Sequence, residues 1–592
     1  MCGIVGFNGK SNCIDVIIKG LESLEYRGYD SAGIAYTLDN KITIKKSEGR
    51  ISNLKEKLVE GETSNLGIGH TRWATHGCAN ETNAHPHRVG KVTVVHNGII
   101  ENYAELKETE LSEYTFKSET DTEVVAALID KLLKENTILN VLSHLDKYLI
   151  GNYALGILIE GDNNLYAIRK NSPLIIGVSN EGNFIASDVP AILTYTNKYY
   201  LLDNDEYAVL TKDDVKIYYK GELQKKKLKT FDFDATVAMK NGYDHYMLKE
   251  IYEQPELVNK LTSIYLSSEK EFINKFKGLE RYDSIDIVAC GSAYHAGMVG
   301  SYLISEYSDI DIKVDIASEY RYTKHHYSRK HLIMVISQSG ETADTLAVIR
   351  DAKAKGIDTM AIVNVEGSSI AREADKVYYT YAGPEIAVAT TKGYTTQVIV
   401  LSYMAMYLGI KNHKCKFNRS KYDEISSVLK NILEDVSDIK DIAKKIHKEN
   451  KIFYIGRKID YALCLEASLK LKEVSYINAV AYAAGELKHG TISLIDEETP
   501  VISIITDDDI RLKTLSNTKE VCARGAHSIL ITNDDVTDKK IINDIIVVEK
   551  VDKLLQSLPI IIKCQLLGYY VALNNGCDID KPRNLAKSVT VE

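Results

Sequence analysis

The chain has 592 residues, a formal net charge of −9, and 45% hydrophobic and 26% charged side chains. This composition is typical of a globular protein with several domains and excludes a disordered, collagen-like or fibrous chain. The acidic balance argues against general binding to nucleic acid or to an anionic membrane surface. Nine cysteines without a CxxC pair indicate reduced thiols. We find no signal-peptide pattern and no apolar run of the roughly 20 residues that a membrane span needs, so we expect a cytoplasmic protein.

The first part of the chain, to about residue 230, predicts an α+β module. Short β-branched runs separated by Gly, Asn and Asp are typical of antiparallel strands. These runs are Cys2–Phe7, Ala32–Tyr36, Lys41–Lys45, Val92–His96, Ala154–Glu160 and Asn164–Arg169. Cys13–Leu24 and Thr122–Glu135 have apolar residues at three- and four-residue spacing and predict helices. The lysine-rich run 225–229 is expected to be a solvated turn or an edge strand.

From about Tyr282 the pattern changes to strands that alternate with helices, which predicts parallel sheets covered on both faces. The expected elements are strands Ser284–Ala289, His331–Ile336 and Asp358–Val363, a helix Ala343–Lys355, a long helical stretch over 391–450 and a strand Lys451–Ile455. Ser337 and Asn364 are 27 positions apart, as are Thr506 and Asn533 at the corresponding places of the later alternation. One α/β architecture used twice explains this spacing.

Cys2 directly follows the initiator Met. Removal of that Met would leave one residue with both a thiol and a free α-amine. Because an α-amine titrates near pH 8, it can act as the base that activates the thiol. Cys2 is therefore a candidate nucleophile.

Five motifs resemble those of the class II glutamine amidotransferases and occur in that family's order. They are MCGIVG at the N-terminus, Tyr26–Ser31, His70–Gly77, His96–Gly98 and Ser118–Thr122. The resemblance implies an N-terminal-nucleophile hydrolase with an αββα sandwich that forms a thioester from glutamine. The implied roles are Cys2 as nucleophile, Asn97 and Gly98 as oxyanion hole, Arg72 and Asp121 as partners of the glutamine α-carboxylate and α-ammonium, Arg27, Thr75 and His76 as further contacts, and Trp73 as the gate of an ammonia channel.

Simpler interpretations of these residues stay open at this point. Arg72 and Asp121 could form an ordinary salt bridge, and Asn97 and Gly98 could form a hairpin turn. Five of the 15 histidines lie close together in the sequence: His70, His76, His85, His87 and His96. A metal site would explain such a cluster, but no cysteine or carboxylate completes a recognisable ligand set, so we expect no metal.

The segment Ser337–Thr342 stands between a predicted buried strand and a helix. Hydroxyls and free N–H groups at a helix N-terminus can hold a phosphate, although the segment lacks the lysine of a Walker loop. A capping turn built on Ser339 and Thr342 is the alternative. Together with Ala289–Ser292 and Val388–Lys392, the segment resembles the paired sugar-isomerase (SIS) domains.

The SIS resemblance implies that only the first copy binds phosphate, because the second has the acidic turn Thr506–Asp509. The implied contacts with the sugar phosphate are Ser292, Ser337, Gln338, Ser339, Thr342, Val388, Lys470 and Ala586. Ala293, Thr390 and Thr491 stand where bacterial members commonly have serine, serine and proline. Loss of one hydroxyl is expected to weaken binding by about 0.5–1.5 kcal/mol.

Three features of the last 130 or so residues fit an isomerase. In the predicted helix Leu465–Glu473, Lys470 and Glu473 lie on one face. His489 stands in a loop, and the tail Arg583–Glu592 is polar and close to the chain end, where segments are commonly mobile. The alternatives are a surface ion pair, a turn histidine and a frayed tail.

From end to end, the chain resembles the isomerising glutamine–fructose-6-phosphate aminotransferases. That resemblance implies that Glu473 moves a proton between C1 and C2 of the sugar and that Lys587 forms a Schiff base with fructose 6-phosphate. It also implies that His489 assists ring opening from the other subunit of a homodimer. The expected products are glucosamine 6-phosphate and glutamate, formed without a cofactor at the first step of hexosamine synthesis, and we expect no nucleic-acid or membrane partner.

The expected domains are a glutaminase domain over 1–235, a linker over 236–250, SIS domains over 251–425 and 426–580, and an active-site tail over 581–592. Two other functions stay open. An amidophosphoribosyltransferase would share the N-terminal motifs but needs an acidic pair before a Gly/Thr phosphate loop. A non-catalytic sugar-phosphate sensor would share only the SIS domains.

Overall fold

The structure is a computed structural model that describes residues 2–74, 76–231, 240–534 and 541–589. The chain divides into two compact units, one of residues 1–239 together with 586–592 and the other of residues 240–585. Within the described ranges, no helix is both long and apolar enough to cross a membrane.

The first unit is rich in strands. Its strands are β1 Gly3–Gly9, β2 Ser31–Leu38, β3 Lys41–Glu48, β4 Leu66–Arg72, β5 His87–Val89, β6 Val92–Ile100, β7 Gly151–Ile159, β8 Leu165–Lys170, β9 Ile175–Ser179, β10 Gly182–Ala186, β11 Lys198–Leu201, β12 Glu206–Leu210, β13 Val215–Tyr219, β14 Glu222–Leu223 and β15 Lys229–Thr230. Its helices are α1 Cys13–Leu24, α2 Ile51–Lys55, α3 Tyr103–Glu108, α4 Asp121–Leu132 and α5 Ile138–Ser143. The lysine-rich run therefore ends in the exposed edge strand β15, as expected.

These strands form two antiparallel sheets. The eight-stranded sheet has the order β15-β11-β9-β10-β1-β4-β2-β3, and the seven-stranded sheet has the order β14-β13-β12-β8-β7-β6-β5. Ile4 and Ile68 from the first sheet meet Val95 and Leu158 from the second in one buried cluster. Helix α1 packs on β1 and β4, and α4 packs on β6, so helices cover both outer faces. The predicted αββα sandwich is confirmed.

Local signals explain where the two main helices begin. The Asn12 side chain accepts a hydrogen bond from the backbone N–H of Ile14 at the start of α1. At the start of α4, the Thr120 hydroxyl accepts a hydrogen bond from the N–H of Glu123. Such capping satisfies backbone donors that have no partner inside the helix. The cap at Thr120 places Asp121 in the first turn of α4.

The second unit alternates strands and helices. Its strands are β16 Ser284–Ala289, β17 Asp311–Ile316, β18 His331–Ser337, β19 Asp358–Val363, β20 Lys376–Tyr379, β21 Lys451–Gly456, β22 Asn478–Ala483, β23 Pro500–Ile505, β24 His527–Thr532 and β25 Asp544–Val547. Its helices are α6 Tyr246–Tyr252, α7 Gln254–Tyr265, α8 Glu269–Phe276, α9 Gly291–Tyr307, α10 Ala317–Tyr320, α11 Ala343–Ala354, α12 Ser369–Glu373, α13 Lys392–Lys411, α14 Ser420–Glu434, α15 Ser437–Ile446, α16 Ile459–Ser475, α17 Arg511–Cys522 and α18 Ser557–Asn574.

The two five-stranded sheets of this unit have the same topology. Their orders are β17-β16-β18-β19-β20 and β22-β21-β23-β24-β25, and every pair is parallel. Ser337 ends β18 and Thr506 directly follows β23, while Asn364 and Asn533 directly follow β19 and β24. The predicted duplication is confirmed, because the residues at equal spacing occupy equivalent positions.

The element bounds bear on the expected domain limits. The long helical stretch over 391–450 consists of three helices, α13, α14 and α15. The expected boundary between residues 425 and 426 falls inside α14, which packs on α7 and α18. The last residues of the expected linker, from Tyr246 onwards, belong to α6.

Candidate active site

Cys2 lies just before β1, and the backbone of Trp73 holds its sulphur. The N–H of Trp73 lies 3.2 Å from Cys2 Sγ, and its carbonyl oxygen lies 3.5 Å away. Burial raises the pKa of the Cys2 thiol, although the Trp73 hydrogen bond and the charge of Arg72 oppose this effect. The thiol is therefore neutral at rest and needs a base before it can attack.

A pocket beside Cys2 brings together side chains from three elements. It is lined by Cys2, Arg72, Trp73, His76, His85, His96, Gly98, Thr120, Asp121 and Thr122. Arg72 ends β4, Gly98 belongs to β6, and Asp121 begins α4. Six of the predicted glutaminase residues therefore line one pocket, although they are spread over 120 positions of the sequence.

The alternative interpretation of Asn97 and Gly98 as a hairpin turn is wrong, because both lie within strand β6. Asn97 Nδ2 donates to the carbonyl oxygen of Cys2 at 2.8 Å. Gly98 has a φ of +129°, and a Cβ at this position would collide with the carbonyl oxygen of Asn152. Only glycine fits there, because a side chain would overlap the backbone of the neighbouring strand β7.

The salt-bridge alternative for Arg72 and Asp121 also fails, because no ion pair joins them in the part of the chain that the structure describes. The Arg72 guanidinium donates to the carbonyl oxygens of His76, Gly77 and Cys78. Asp121 Oδ2 accepts the N–H of Ile100 at 2.8 Å. Two opposite charges thus face one pocket without neutralising each other, as a zwitterionic amino acid requires.

The three residues predicted as further contacts with glutamine are Arg27, Thr75 and His76. Arg27 is buried and pairs with Asp188 at 2.5 Å. The ring of His76 meets that of Tyr103 edge-on, at 5.5 Å between centroids. Thr75 lies outside the described residues.

Sequence reasoning missed two residues that support this site. Asp30 Oδ2 accepts the N–H of Ala74 at 2.9 Å and so fixes the loop after Arg72; its position inside the motif Tyr26–Ser31 was the available signal. His70 contacts Asn97 Oδ1 at 3.0 Å. No spacing rule connects two residues on neighbouring sheets, so this contact had no signal in the sequence.

In the second unit, the turn after β18 is lined by hydroxyls. The Oγ of Ser337 lies 2.9 Å from Thr342 Oγ1 and accepts the N–H of Gly340 at 3.0 Å. Ser339 Oγ accepts the N–H of Glu341 at 3.2 Å. Thr342 precedes α11 but makes no side-chain cap, so the first N–H groups of that helix are not capped by its hydroxyl. The turn has the donors that a phosphate cradle needs.

The equivalent turn of the second copy is filled by a carboxylate of the chain itself. Asp460 accepts the N–H groups of Thr506 and Asp507 at 2.8 and 3.3 Å and the Thr506 hydroxyl at 2.5 Å. Burial raises the pKa of Asp460 to about 6, so it is ionised at neutral pH. A phosphate would meet this anion as well as the acidic turn.

Lys470 and Glu473 meet on α16, with Nζ 2.5 Å from Oε2. The surface-pair alternative is wrong, because the Lys470 side chain is only 1% exposed. Burial alone would lower the pKa of Lys470, but the carboxylates of Glu473 and Glu466 outweigh it and raise the pKa. Glu466 also accepts from Ser292 Oγ at 2.9 Å, which links α16 to the start of α9 in the first copy.

The chain leading to the tail is tied to both copies. The carbonyl oxygen of Asp580 accepts the N–H of Val388 at 3.0 Å. The N–H of Arg583 donates to the Tyr476 hydroxyl at 2.8 Å, just beyond α16. The frayed-tail alternative is therefore wrong as far as Arg583.

The remaining predicted isomerase residues occupy three places. The side chain of Gln338 lies next to Gly393, and Gly393 belongs to the first turn of α13. His489 is exposed after a short 3-10 helix over 486–488. Ala586 and Lys587 belong by their contacts to the first unit, so their assignment to the sugar site stays a prediction.

Comparison with known proteins agrees with both units. A model of the glutamine amidotransferase domain matches residues 70–194, and a model of the SIS domain matches residues 278–407 and 445–550. Relatives named glutamine–fructose-6-phosphate aminotransferase (isomerizing) are 46% identical in Clostridium acetobutylicum and 47% identical in Caldanaerobacter subterraneus, with 100% of both chains covered. The solved C-terminal domain of glucosamine-fructose-6-phosphate aminotransferase from Francisella tularensis is 37% identical with a TM-score of 0.52, and the match covers 58% of this chain and 99% of that domain.

An αββα sandwich with Cys2 in its pocket, followed by two SIS domains, defines a glutamine amidotransferase joined to a phosphosugar-isomerase module. At 46% identity over its whole length to such a relative, the chain belongs to the family of isomerising glutamine–fructose-6-phosphate aminotransferases. The two SIS matches are inconsistent with the amidophosphoribosyltransferase alternative.

Proposed function

We propose that this chain transfers the amide nitrogen of glutamine to fructose 6-phosphate and isomerises the product, giving glucosamine 6-phosphate and glutamate. One observation carries the proposal. Cys2, Arg72, Gly98 and Asp121 line one pocket in a chain that also contains two SIS domains. One polypeptide therefore has candidate residues for both halves of the reaction.

In the glutaminase half, Cys2 Sγ attacks the amide carbon of glutamine, and the α-amine freed by loss of Met1 takes the thiol proton. Asn97 Nδ2 and the N–H of Gly98 stabilise the oxyanion, at roughly 3–4 kcal/mol per donor. The proton passes to the leaving nitrogen, ammonia departs, and water hydrolyses the thioester to glutamate. The raised pKa of the buried Cys2 thiol supports the need for such a base.

The other residues of the pocket bind glutamine. We assign Arg72 to the α-carboxylate and Asp121 to the α-ammonium, which is supported by their lack of a mutual ion pair in the described ranges. The supporting contacts are assigned to Arg27, Thr75 and His76, and Trp73 is assigned as the gate through which ammonia leaves.

In the sugar half, the phosphate binds in the hydroxyl-lined turn after β18. The proposed contacts are Ser292, Ser337, Gln338, Ser339, Thr342, Val388, Lys470 and Ala586. Lys587 condenses with the C2 carbonyl of the open-chain ketose and releases water, and ammonia then displaces the lysine from the imine. His489 assists ring opening, and Glu473 removes a proton from C1 and returns one to C2. The buried pair of Lys470 and Glu473 supports a proton-transfer role.

We further propose that the enzyme is a cytoplasmic homodimer in which His489 serves the partner's site. The exposure of His489 supports this arrangement, because an exposed side chain is free to reach a second copy. The free cysteines of the described chain are consistent with a reducing compartment.

The deciding experiment incubates the purified chain with glutamine and fructose 6-phosphate and measures both products. We expect glutamate and glucosamine 6-phosphate in equal amounts. Cys2→Ala should form no glutamate yet still form glucosamine 6-phosphate when ammonia replaces glutamine, because the two sites are separate. Glutamate without the amino sugar would indicate another acceptor, and neither product would favour a non-catalytic sensor.

A further inference from the structure

His70 lies in strand β4 with no exposed surface. Its ring Nε2 is 2.9 Å from the carbonyl oxygen of His96 and 3.0 Å from Asn97 Oδ1. Both partners are hydrogen-bond acceptors, so Nε2 must carry the hydrogen. These two contacts therefore fix the tautomer of His70.

The side-chain amide of Asn97 is held at both of its ends. Its Oδ1 accepts from His70, and its Nδ2 donates to the carbonyl oxygen of Cys2 at 2.8 Å. Turning the amide end for end would set its NH2 group against the N–H of His70 and its oxygen against the Cys2 carbonyl. Both contacts would become repulsive, so the pair of contacts decides which end of the amide faces Cys2.

The surroundings of His70 suit a permanent donor. Burial lowers the pKa of His70 to about 3, so the ring is neutral at working pH. The ring stacks on that of His85, with 4.1 Å between centroids. Its Nδ1 is buried without a hydrogen-bond partner among the described residues, so Nε2 is the atom that contacts the site.

We propose that His70 is a positioning residue of the glutaminase reaction: its Nε2–H orients the Asn97 amide so that Nδ2 faces the oxyanion that forms on glutamine. This inference rests on the proposed function, in which Asn97 is an oxyanion donor. Without His70, only the Cys2 carbonyl opposes turning of the amide. A turned amide sets its oxygen against the oxyanion, where the two negative oxygens repel each other. His70 acts through Asn97 and not on glutamine.

Two substitutions of His70 test whether the hydrogen-bond donor matters apart from the imidazole ring. In His70→Gln, the amide nitrogen takes the place of imidazole Nε2, whereas the shorter side chain of His70→Asn reaches only the position of Nδ1. We expect H70N to lower kcat for glutamine hydrolysis by about 10–100-fold, less than the 10²–10³-fold loss typical of removing an oxyanion donor outright. KM for glutamine should stay within about two-fold, because ground-state binding is untouched. H70Q should stay within about three-fold of the wild-type kcat.

A second readout isolates the oxyanion. The aldehyde analogue of glutamine, glutamate γ-semialdehyde, gives a hemithioacetal when Cys2 Sγ bonds to its carbonyl carbon. The α-amine of Cys2 takes the thiol proton, and the former carbonyl oxygen carries the negative charge. That adduct needs the oriented donor, whereas alkylation of Cys2 by iodoacetamide does not. In H70N, inhibition by the aldehyde should weaken by the same factor as kcat, with the alkylation rate unchanged. In an Asn97→Ala background, H70N should add no more than about a two-fold loss.

Three results would overturn the inference: wild-type hydrolysis by H70N, equal losses in H70N and H70Q, or full additivity with Asn97→Ala. Wild-type hydrolysis by Asn97→Ala alone would instead reject the proposed oxyanion role of Asn97. Should H70N fail to fold, as judged by Trp73 fluorescence, His70→Met, which keeps the volume but lacks the donor, takes its place.

Discussion

At the scale of single residues, Trp73 makes two separable contacts. Its backbone N–H and carbonyl hold the Cys2 sulphur, while its indole lies edge-on to Tyr29 at 5.9 Å between centroids. A substitution that keeps the backbone should therefore keep the nucleophile in place. The side chain is left for a different task, which we propose is to gate the passage of ammonia.

We predict that Trp73→Ala still hydrolyses glutamine but releases ammonia to solvent. The ratio of glutamate to glucosamine 6-phosphate should rise clearly above one when both products are measured in the same sample. Trp73→Phe, which keeps an aromatic ring, is the matched control and should stay near one. A ratio of one in Trp73→Ala would rule out the gate.

At the scale of elements, the tail is anchored before it reaches Lys587. Arg583 donates its N–H to Tyr476 and stacks its guanidinium on the Tyr476 ring, 4.2 Å from the centroid. Lys587 stands four positions after Arg583, which allows a reach of about 14 Å when the chain is fully extended. The anchor at Arg583 therefore limits how far Lys587 can lie from Tyr476.

We predict that borohydride reduction in the presence of fructose 6-phosphate attaches a hexose phosphate to the C-terminal peptide. Reduction traps the imine as a stable amine, which mass spectrometry locates. Lys587→Arg should abolish the label, whereas Lys581→Arg, a lysine on the other side of the anchor, should keep it. A label on Lys470 or Lys392, with Lys587→Arg still active, contradicts the assignment.

At the scale of the whole molecule, the proposed sugar site takes Lys587 from one subunit and His489 from the other. Two inactive variants, one at each residue, should therefore complement each other in a mixed dimer. His489→Asn and Lys587→Arg should each be inactive in synthesis as homodimers. Randomly mixed subunits should regain about a quarter of the wild-type activity, because half of the dimers are mixed and each of these has one intact site. The measurement is synthesis after joint refolding, with the two variants assayed separately as controls. No recovery would show that His489 acts within its own chain.

The first unit should lose stability in acid because His70, His85 and His87 are buried as neutral rings. Burial lowers the pKa of His70 to about 3 and holds the pKa values of His85 and His87 well below 6.5. Below pH 6.5 the unfolded chain binds more protons than the folded unit, so this stability is present above pH 6.5 and is lost as pH falls. At pH 5 the loss is about 2 kcal/mol for His70, and the lowered pKa values of His85 and His87 act in the same direction.

Thermal unfolding followed by Trp73 fluorescence reports this effect, because Trp73 is the only tryptophan and lies in the first unit. The midpoint should fall between pH 7 and pH 5. His413→Gln, which changes an exposed histidine of the second unit, should show the same fall. A midpoint that does not change with pH would contradict the prediction.

The sequence by itself determined the features that local pattern encodes. Strand β16 and helix α1 begin and end where the spacing predicts, because apolar periodicity and a capping residue act over a few positions. The duplicated α/β order and the candidate nucleophile Cys2 were equally readable, since a repeat keeps its spacing and an N-terminal cysteine needs no distant partner to be noticed.

Only the tertiary structure decided which distant groups meet. It pairs Arg27 with Asp188, 161 positions away, and it fills the second phosphate-like turn with Asp460, 46 positions before Thr506. It also places the donor of His70 on Asn97 and buries Lys470 between two carboxylates. These contacts depend on which strands become neighbours and on burial that strengthens charge interactions, and neither property is written in the spacing of the residues concerned.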